Sequence, residues 1–463
     1  MEYTVEFLSR LQFAATAMFH YIFPPFSIGL GLILVIFESY YFITKEKVYE
    51  NITRFWIKIF AANFSVGVAS GIVLEFEFGT NWATYSRFVG DVFGSPLAAE
   101  GIFAFFLESG FLAILLFGWN KVKPWVHLFA TFMVFIGSMM SGFWIVAANS
   151  WQQTPVAYEV ITDASGITKA VITDFWEMVF NPSTPSRFSH TIIGAFLQGS
   201  FLVLSISAYY LYKKIHLEFA TRSFTIALGV AFVSALAQPL LGHESAKVAY
   251  EYQPAKMAAF EGLYETTDNA PLYLFGWVDE EAEQTKGIAI PGMLSYLLNW
   301  DNDFVVKGLN EFPEEERPPV NAVFQSYHLM VAIGMGLILI TFLGLLLLYK
   351  KTVFRKTWIL WIFMLSVFLP VFANQAGWIS AERGRQPYTV YGLLKTSESY
   401  SKSLVESEVL TSLILFFLIY GLLFFTWLFV LNKEIQHGPE TLNPEDNLYR
   451  QRKLRINLLK FLK

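Results

Sequence analysis

Long runs of apolar residues occur nine times along the chain, separated by shorter polar stretches. Each run reaches about 20 residues, the length that an α-helix needs to cross a bilayer. The pattern predicts an all-α polytopic membrane protein with about nine transmembrane helices. Numbered as spans one to nine in chain order, they cover residues 15–42, 53–78, 96–118, 125–148, 188–212, 219–242, 325–349, 357–378 and 408–432.

Basic residues follow every second span, and short cytoplasmic loops carry such an excess of Lys and Arg. The N-terminus is therefore predicted outside and the C-terminus in the cytoplasm. Three regions result: residues 1–242 with six spans, a long extracytoplasmic loop at 243–324, and residues 325–463 with three spans and a basic tail. The basic residues are Lys45, Lys47, Lys121, Lys123, Lys213, Lys214, Lys350, Lys351, Arg355, Lys356, Lys433, Arg450, Arg452, Lys453 and Arg455.

Composition supports the membrane prediction and limits the partners and cofactors that the chain can bind. Charged residues make up 15% of the chain, against about a quarter in soluble domains. The formal net charge of −5 argues against a nucleic-acid partner. The chain has no cysteine, which excludes thiolate-ligated haem, iron–sulfur clusters, covalent c-type haem and disulfides. No basic stretch precedes the first apolar run, so we expect no cleaved signal peptide.

Ionisable side chains inside apolar spans are costly and are candidates for function. Glu100 and Glu108 both lie in span three, about 12 Å apart along a helix, which suggests a proton path or ligand positions. Simpler alternatives exist elsewhere: a histidine at the interface, a methionine that fills space, or an ion pair between Glu382 and Arg385. The other candidates are His20, Glu75, Glu77, His190 and Met330.

The histidines limit the type of redox centre. Of seven in the chain, only His20 and His190 are predicted to lie clearly inside the membrane. A haem–copper oxidase core needs about six buried histidine ligands, so that class is excluded. Two histidines, a methionine and several carboxylates would suffice for a few haems, since His plus Met is a common low-spin ligand pair.

Several long motifs resemble subunit I of the cytochrome bd-type quinol oxidases, in that family's order from residue 8 to 388. The resemblance is to the members with a short quinol loop, and it agrees with nine spans and an outward N-terminus. The motifs are SRLQFAATAMFHYIF, FGTNW, GDVFGSPLAAEGIFAFFLES, FWIVAANSWQQTP, RFSHT, GHES with AKMAAFE, and GWISAERGRQP.

The resemblance implies metal ligands for three haems. His190 and Met330 match the axial ligands of a low-spin haem b. His20 and Glu382 match the ligands of a high-spin haem b and a haem d, or a further haem b in its place, without showing which residue binds which haem. Glu100 matches a carboxylate beside that site and is a candidate sixth ligand. Arg385 and Arg10 are expected to face haem propionates.

The resemblance also implies paths for protons and quinol. Glu108 matches a carboxylate that carries protons inward, with Ser109 and Ser141 as candidate continuations of a polar path. Lys256 and Glu261 of the long loop match residues linked to quinol oxidation, where a carboxylate can accept a proton. The alternative is an inconsequential surface pair. His328, Gln375 and Asn120 depart from residues found in some relatives, which puts the outer-site electrostatics and any proton exit in doubt.

The function implied is that of a terminal respiratory oxidase subunit in the bacterial cell membrane. It would oxidise quinol at the outer face, reduce O2 to water at the haems, and separate charge without pumping. Catalytic roles fall to Glu100, Glu108 and Glu382. Expected partners are a related multi-span subunit II, a candidate single-helix small subunit, quinol, O2 and the lipid bilayer.

Three other functions stay open from the residues alone. A haem-bearing electron carrier would not bind oxygen. A proton-coupled transporter using Glu100 and Glu108 would be colourless. A structural subunit would leave the buried polar residues without a role.

Overall fold

Nine helical segments long and apolar enough to cross a membrane lie within the part of the chain that the computed structural model describes, residues 4–164 and 166–440. The predicted number of spans and the all-α polytopic class are thereby confirmed. The spans are Val5–Thr44, Lys47–Thr80, Gly90–Phe117, Pro124–Gln153, Thr184–Lys213, Leu217–Tyr252, Glu314–Tyr349, Thr357–Arg383 and Glu406–His437.

Span one is longer than predicted and consists of two helices, Val5–His20 and Phe23–Thr44. It begins near residue 5 rather than 15, because the Thr4 hydroxyl accepts a hydrogen bond from the Phe7 backbone N–H and caps the first helix. Pro24 and Pro25 lack backbone N–H groups and so cannot continue its hydrogen bonding. The break leaves His20 at the end of the first helix.

Two further spans are interrupted. Span three contains the helices Gly90–Ala99 and Phe106–Phe117, joined by a π-helical turn at Glu100–Phe105. Such turns are often found at functional sites. Span eight contains Thr357–Leu365 and Phe368–Arg383, with Pro370 in the first turn of the second helix.

Span six differs from its predicted boundary at residue 242. Its helix continues to Tyr252, so the GHES motif is helical and the outer loop starts later than expected. The helix of span seven runs over Val320–Tyr349. The connection between these helices is therefore shorter than the predicted loop of residues 243–324.

Span five is the most buried of the nine spans and lies against spans one, four, six and eight. Its contact with span one is close: a Cβ on Gly199 would lie 2.5 Å from the Cα of Gly29. Only glycine permits this approach, as in small-residue contacts between membrane helices. The core of the bundle is built around this pair of helices.

The connections on the opposite side from the basic loops carry most of the smaller elements. Three antiparallel hairpins pair Tyr158–Thr162 with Thr168–Ile172, Leu272–Asp279 with Gln284–Ile290, and Tyr388–Val390 with Leu394–Lys395. The short helices are Ala83–Phe88, Phe175–Val179, Pro254–Glu261, Met293–Asn299 and Thr396–Ser399, and the 3-10 turns are Leu309–Glu311, Glu314–Glu316 and Val353–Arg355, the last between spans seven and eight.

The loops predicted to be cytoplasmic share one face of the bundle. Glu440, beyond the end of span nine, accepts a hydrogen bond from Lys58 of span two, and Arg54 donates one to Asn120 after span three. Arg222 of span six forms an ion pair of 2.8 Å with Glu46 after span one. Which membrane face this is remains a prediction of the basic-loop pattern. The predicted tail residues Arg450, Arg452, Lys453 and Arg455 lie outside the described residues.

Candidate functional site

His190 and Met330 each face a glycine of a neighbouring helix. A Cβ on Gly242 of span six would lie 3.5 Å from His190 Cε1, and one on Gly377 of span eight would lie 2.8 Å from Met330 Sδ. The Nδ1 atom of His190 is buried and has no hydrogen-bond partner among the described residues. An imidazole and a thioether in glycine-lined surroundings are groups that suit the two axial positions of a haem.

Spans five, six and eight meet around Gly194, one turn after His190. Asn374 of span eight and Gln238 of span six lie on either side of it, at 2.8 and 3.0 Å from the position of a Cβ. Gln238 also donates a hydrogen bond of 3.1 Å to the His190 carbonyl. These contacts hold spans five, six and eight around one region, and Met330 of span seven reaches the same region at Gly377.

Glu382 lies in a dense polar cluster at the end of span eight. Its Oε2 pairs with Arg385 at 2.5 Å, and its Oε1 accepts hydrogen bonds from Asn149 at 3.3 Å and Gln153 at 3.2 Å. Arg187 of span five approaches to 3.9 Å. Span four, span five and the end of span eight therefore converge on this one carboxylate.

Cations outnumber anions in this cluster. Lys256 donates a hydrogen bond to Gln153, and it is buried together with Arg385. Burial, with the nearby charges of Arg187 and Arg385, holds the pKa of Lys256 well below its usual value. Even with Lys256 neutral, two guanidinium groups face the single carboxylate of Glu382. The Nη1 atom of Arg385 is buried without a hydrogen-bond partner among the described residues, so the cluster suits an additional anion such as a propionate.

His20 lies at the break in span one. Its Nδ1 is 3.0 Å from the Ser70 hydroxyl, and a Cβ on Gly71 would lie 3.1 Å from its Cε1. Thr16, one turn earlier, donates a hydrogen bond of 2.5 Å to Glu77. Glu75 is exposed on the same helix as Glu77. His20 thus has a glycine neighbour, as His190 and Met330 have, next to a buried carboxyl.

Glu100 and Glu108 are both held by serines of span four. Ser141 donates a hydrogen bond of 2.5 Å to Glu100, and Ser138 donates one to Glu108. Ser109 is exposed and its hydroxyl is directed to the Phe106 carbonyl at 3.5 Å. The structure therefore places Ser141 beside Glu100 and Ser138 beside Glu108, whereas Ser109 contacts neither carboxyl in these hydrogen bonds.

One face of span four links these groups. Separations of four, seven, three and eight residues place its polar side chains close to a single helical stripe. Along the stripe, buried or half-buried carboxyls from three other spans bind in succession: Glu38, Glu108, Glu100 and Glu382. The stripe consists of His127, Thr131, Ser138, Ser141 and Asn149.

The described helical bundle matches a known family almost from end to end, since the family model for Cytochrome bd terminal oxidase subunit I covers residues 8–439. The chain belongs to this family. "Cytochrome bd ubiquinol oxidase subunit 1" of Bacillus subtilis is 38% identical over 95% of this chain and 95% of the relative. "Cytochrome bd-II ubiquinol oxidase subunit 1" of Escherichia coli is 31% identical over 96% of this chain and 99% of the relative.

A solved structure of the family has the same architecture. "The structure of bd oxidase from Geobacillus thermodenitrificans" superposes with a TM-score of 0.87 at 31% identity, covering 94% of this chain and 99% of that chain. Membership of the family implies haem cofactors and a multi-pass location in the bacterial cytoplasmic membrane.

The oxidase subunit contains one buried ionisable pair that the sequence does not reveal. Glu38 Oε1 and His127 Nδ1 share a hydrogen bond of 2.6 Å, and both side chains are almost inaccessible to solvent. His127 lies in the first turn of the span-four helix and is buried there, so the protein buries a further histidine besides the two predicted to lie in the membrane. The spacing of His127 and Thr131 by one helical turn is the signal that would have identified it.

Lys256 and Glu261 lie on the short helix Pro254–Glu261 and are both buried, at 6% and 0% exposure. This contradicts the alternative of a surface pair. Neither carboxyl oxygen of Glu261 has a hydrogen-bond partner among the described residues. Burial raises the pKa of Glu261 to about 8.

Arg10 occupies a more peripheral position than expected. It is exposed, pairs with Glu6 at 3.4 Å and donates to Gln386 at 3.3 Å. Since Gln386 follows Arg385 directly, Arg10 lies at the edge of the Glu382 cluster rather than within it. Of the family departures, Gln375 donates to the Met18 carbonyl at 2.7 Å.

Proposed function

We propose that this subunit oxidises quinol and delivers the electrons to haems at which O2 is reduced to water. The observation that carries the proposal is the set of partly buried groups suited to haem within one bundle: His190 with Met330, His20 with its glycine neighbour, and the cation-rich cluster at Glu382. A colourless transporter or a structural subunit would have no use for a buried excess of guanidinium groups.

His190 and Met330 would hold a low-spin haem b. His20 and Glu382 would hold a high-spin haem b and a haem d, or a further haem b in its place, with Glu100 beside them. When bound, these haems supply the electron transfer and oxygen chemistry, and the protein supplies ligands and proton access. Arg187 and Arg385 would neutralise propionates, with Arg10 at the rim.

The loop helix Pro254–Glu261 carries the proposed quinol chemistry. A carboxyl group can accept a proton from quinol as the electron leaves, and Glu261 is buried with both oxygens free for such a contact. Lys256 lies at the other end of the helix, joined through Gln153 to Glu382. This helix therefore connects the proposed quinol site to the proposed haem-propionate cluster.

Proton delivery would use the polar stripe of span four. Glu100 begins the π-helical turn of span three and Glu108 follows in the helix Phe106–Phe117, and they accept hydrogen bonds from Ser141 and Ser138. A proton would pass along this stripe from one carboxyl towards the other. If the basic loops face the cytoplasm, consumed protons come from that side and quinol protons leave on the other. Charge is then separated without a pump.

Two partners complete the proposal. The relatives are named as subunit 1 of their oxidases, which supports a complex with a multi-span subunit II. A single-helix small subunit is a further candidate of this proposal. Quinol would approach from the lipid bilayer, and O2 would reach the haems from the same medium.

An oxygen-electrode assay of the purified complex with a soluble quinol tests the function. We expect quinol-dependent oxygen uptake, haem absorption bands, and carbon monoxide binding by the reduced protein. Haem bands without oxygen uptake or carbon monoxide binding would instead indicate an electron carrier. A colourless preparation would overturn the haem proposal altogether.

A further inference from the structure

The hairpin of Leu272–Asp279 and Gln284–Ile290 presents an apolar outer face. Phe275, Trp277, Ile288 and Ile290 are 60%, 64%, 56% and 42% exposed. Phe275 pairs with Ile288 across the hairpin, and Trp277 pairs with Lys286. A loop in water would rarely gather so many large apolar side chains on one small sheet.

The hairpin is fixed to the first three turns of the span-seven helix. His328 Nε2 lies 2.9 Å from the Tyr273 carbonyl, Gln325 donates to the Gly276 carbonyl at 2.8 Å, and Asn321 accepts from the Val278 N–H at 3.3 Å. The first strand therefore runs antiparallel to the helix. Residue 273 lies at the level of 328 and residue 278 at the level of 321.

The depth of this segment follows from the length of the helix. Val320–Tyr349 has 30 residues, whereas the hydrocarbon core needs about 20. Counted from Tyr349, which lies next to the basic loop, the hydrocarbon ends near residue 329. The turns that hold the hairpin, residues 321–328, then occupy about the next 10 Å, which is the headgroup layer.

The side chains of the hairpin become more polar from its deep end to its connecting turn, as expected for a segment that crosses the headgroup layer. Ile290, paired with Leu272, is at the deep end, Trp277 and Lys286 are higher, and the connecting turn carries Glu280, Glu281 and Glu283. Trp is enriched at membrane interfaces, and Lys can extend its ammonium towards headgroups. Leu329 and Met335, further along the same span-seven helix, are exposed as well.

We propose that this hairpin is a membrane-interface anchor, with its apolar face among the outer headgroups and upper acyl chains of the lipid bilayer. The anchor also restrains the loop helix, because Thr285 of the second strand donates a hydrogen bond of 2.7 Å to the Gly262 carbonyl, next to Glu261. The anchor thereby holds the start of the outer loop at the bilayer depth at which a lipid-soluble ligand diffuses.

Spin labels on single-cysteine variants test the depth directly, since the chain has no native cysteine. Ile288→Cys is compared with Met335→Cys, a reference on the exposed side of span seven, and Glu281→Cys, a reference in the acidic turn. The complete oxidase complex is labelled in liposomes, and collision rates with O2 and with a water-soluble nickel chelate are measured.

We expect the label at residue 288 to collide more with O2 than with the nickel chelate, as at residue 335, while residue 281 shows the opposite ratio. A ratio at 288 equal to that at 281 would place the hairpin in water and overturn the anchor. Low collision rates with both reagents would show that protein covers the face, which would also overturn it. None of these outcomes depends on quinol oxidation.

Discussion

Glu108 and Gly137 are in direct contact between spans three and four. A Cβ on residue 137 would lie 2.6 Å from Glu108 Cγ and 3.3 Å from the Ala104 carbonyl oxygen. The missing side chain of Gly137 is therefore what lets Glu108 reach the hydroxyl of Ser138.

Gly137→Ala is expected to displace Glu108 from Ser138 and to slow oxygen reduction. A misplacement of about 1 Å at a working group can cost roughly 100-fold in rate, so we expect a loss of between about 10-fold and 100-fold. Oxygen uptake at saturating quinol measures it, with haem spectra as a check on folding. Gly142→Ala is the matched control on the same helix, because its nearest contacts are at an ordinary 3.6 Å. Full turnover in Gly137→Ala would remove this contact from the proton path.

Gly377→Ala is expected to disturb the proposed low-spin haem by pushing on Met330 Sδ, 2.8 Å from the new Cβ. Met330→Leu removes the sulfur itself and should abolish the low-spin signal, as should His190→Ala. The reduced-minus-oxidised absorption spectrum measures all three. Gly229→Ala, which meets nothing within 4 Å, should leave the spectrum unchanged. An intact low-spin band in both Met330→Leu and His190→Ala would refute the ligand pair.

Glu261 predicts a pH dependence of quinol oxidation. With its pKa raised by burial from 4.5 to about 8, the carboxyl is protonated at neutral pH and becomes able to accept a proton only as the pH approaches 8. The rate should therefore rise with pH up to about 8. Glu261→Gln should lower the rate and flatten this rise, whereas Glu265→Gln, at an exposed position of the same loop, should not. An unchanged profile in Glu261→Gln would contradict its role as proton acceptor.

The Glu261 carboxyl should also make the stability of the folded protein depend on pH. The stability should fall as the pH rises, whereas the rate of quinol oxidation should increase. The unfolded chain releases this proton near pH 4.5, while the folded chain retains it to about pH 8. Folding is thus favoured at low pH and loses this contribution as the pH rises between the two values. Glu261→Gln should be more resistant to heat than the parent protein at and above pH 8. Thermal inactivation measured on both sides of this range tests the prediction.

The buried pair of Glu38 and His127 should contribute strongly to stability. Removing one member of a buried pair typically costs about 3–5 kcal/mol, because the other is left without its partner. His127→Leu should therefore lower the heat-inactivation temperature clearly. The double variant Glu38→Leu with His127→Leu should recover much of the loss. Equal stability of the parent and His127→Leu would show that the pair is dispensable.

The spans could be predicted from the sequence because each apolar run is itself long enough to cross a bilayer. The break in span one has a local cause, Pro24 and Pro25, that is visible in the sequence. The π-helical turn at Glu100 has no such signal. It depends on packing between spans three and four, which a single segment cannot show.

The sequence predicts those site residues that are polar within an apolar run. It does not predict residues whose role depends on a contact with a distant part of the chain. His20, His190 and Glu108 are polar residues in apolar surroundings. Ser138 and Glu38 acquire their significance from residues that are distant in the sequence, 30 and 89 positions away. The sequence predicts the second hairpin only as part of a loop, because its turn contains no glycine to mark it.

The polar stripe of span four sets the relative positions of the carboxyl groups that bind along it. Each residue turns the helix by about 100°. One inserted residue would therefore rotate the side chains that follow the insertion by that angle relative to the side chains that precede it. An insertion between Ser141 and Asn149 would leave Glu108 and Glu100 in place and turn Asn149 away from Glu382. The length of this stretch, rather than its composition, fixes the alignment of the two halves of the site, and natural variation in it should be confined to substitutions.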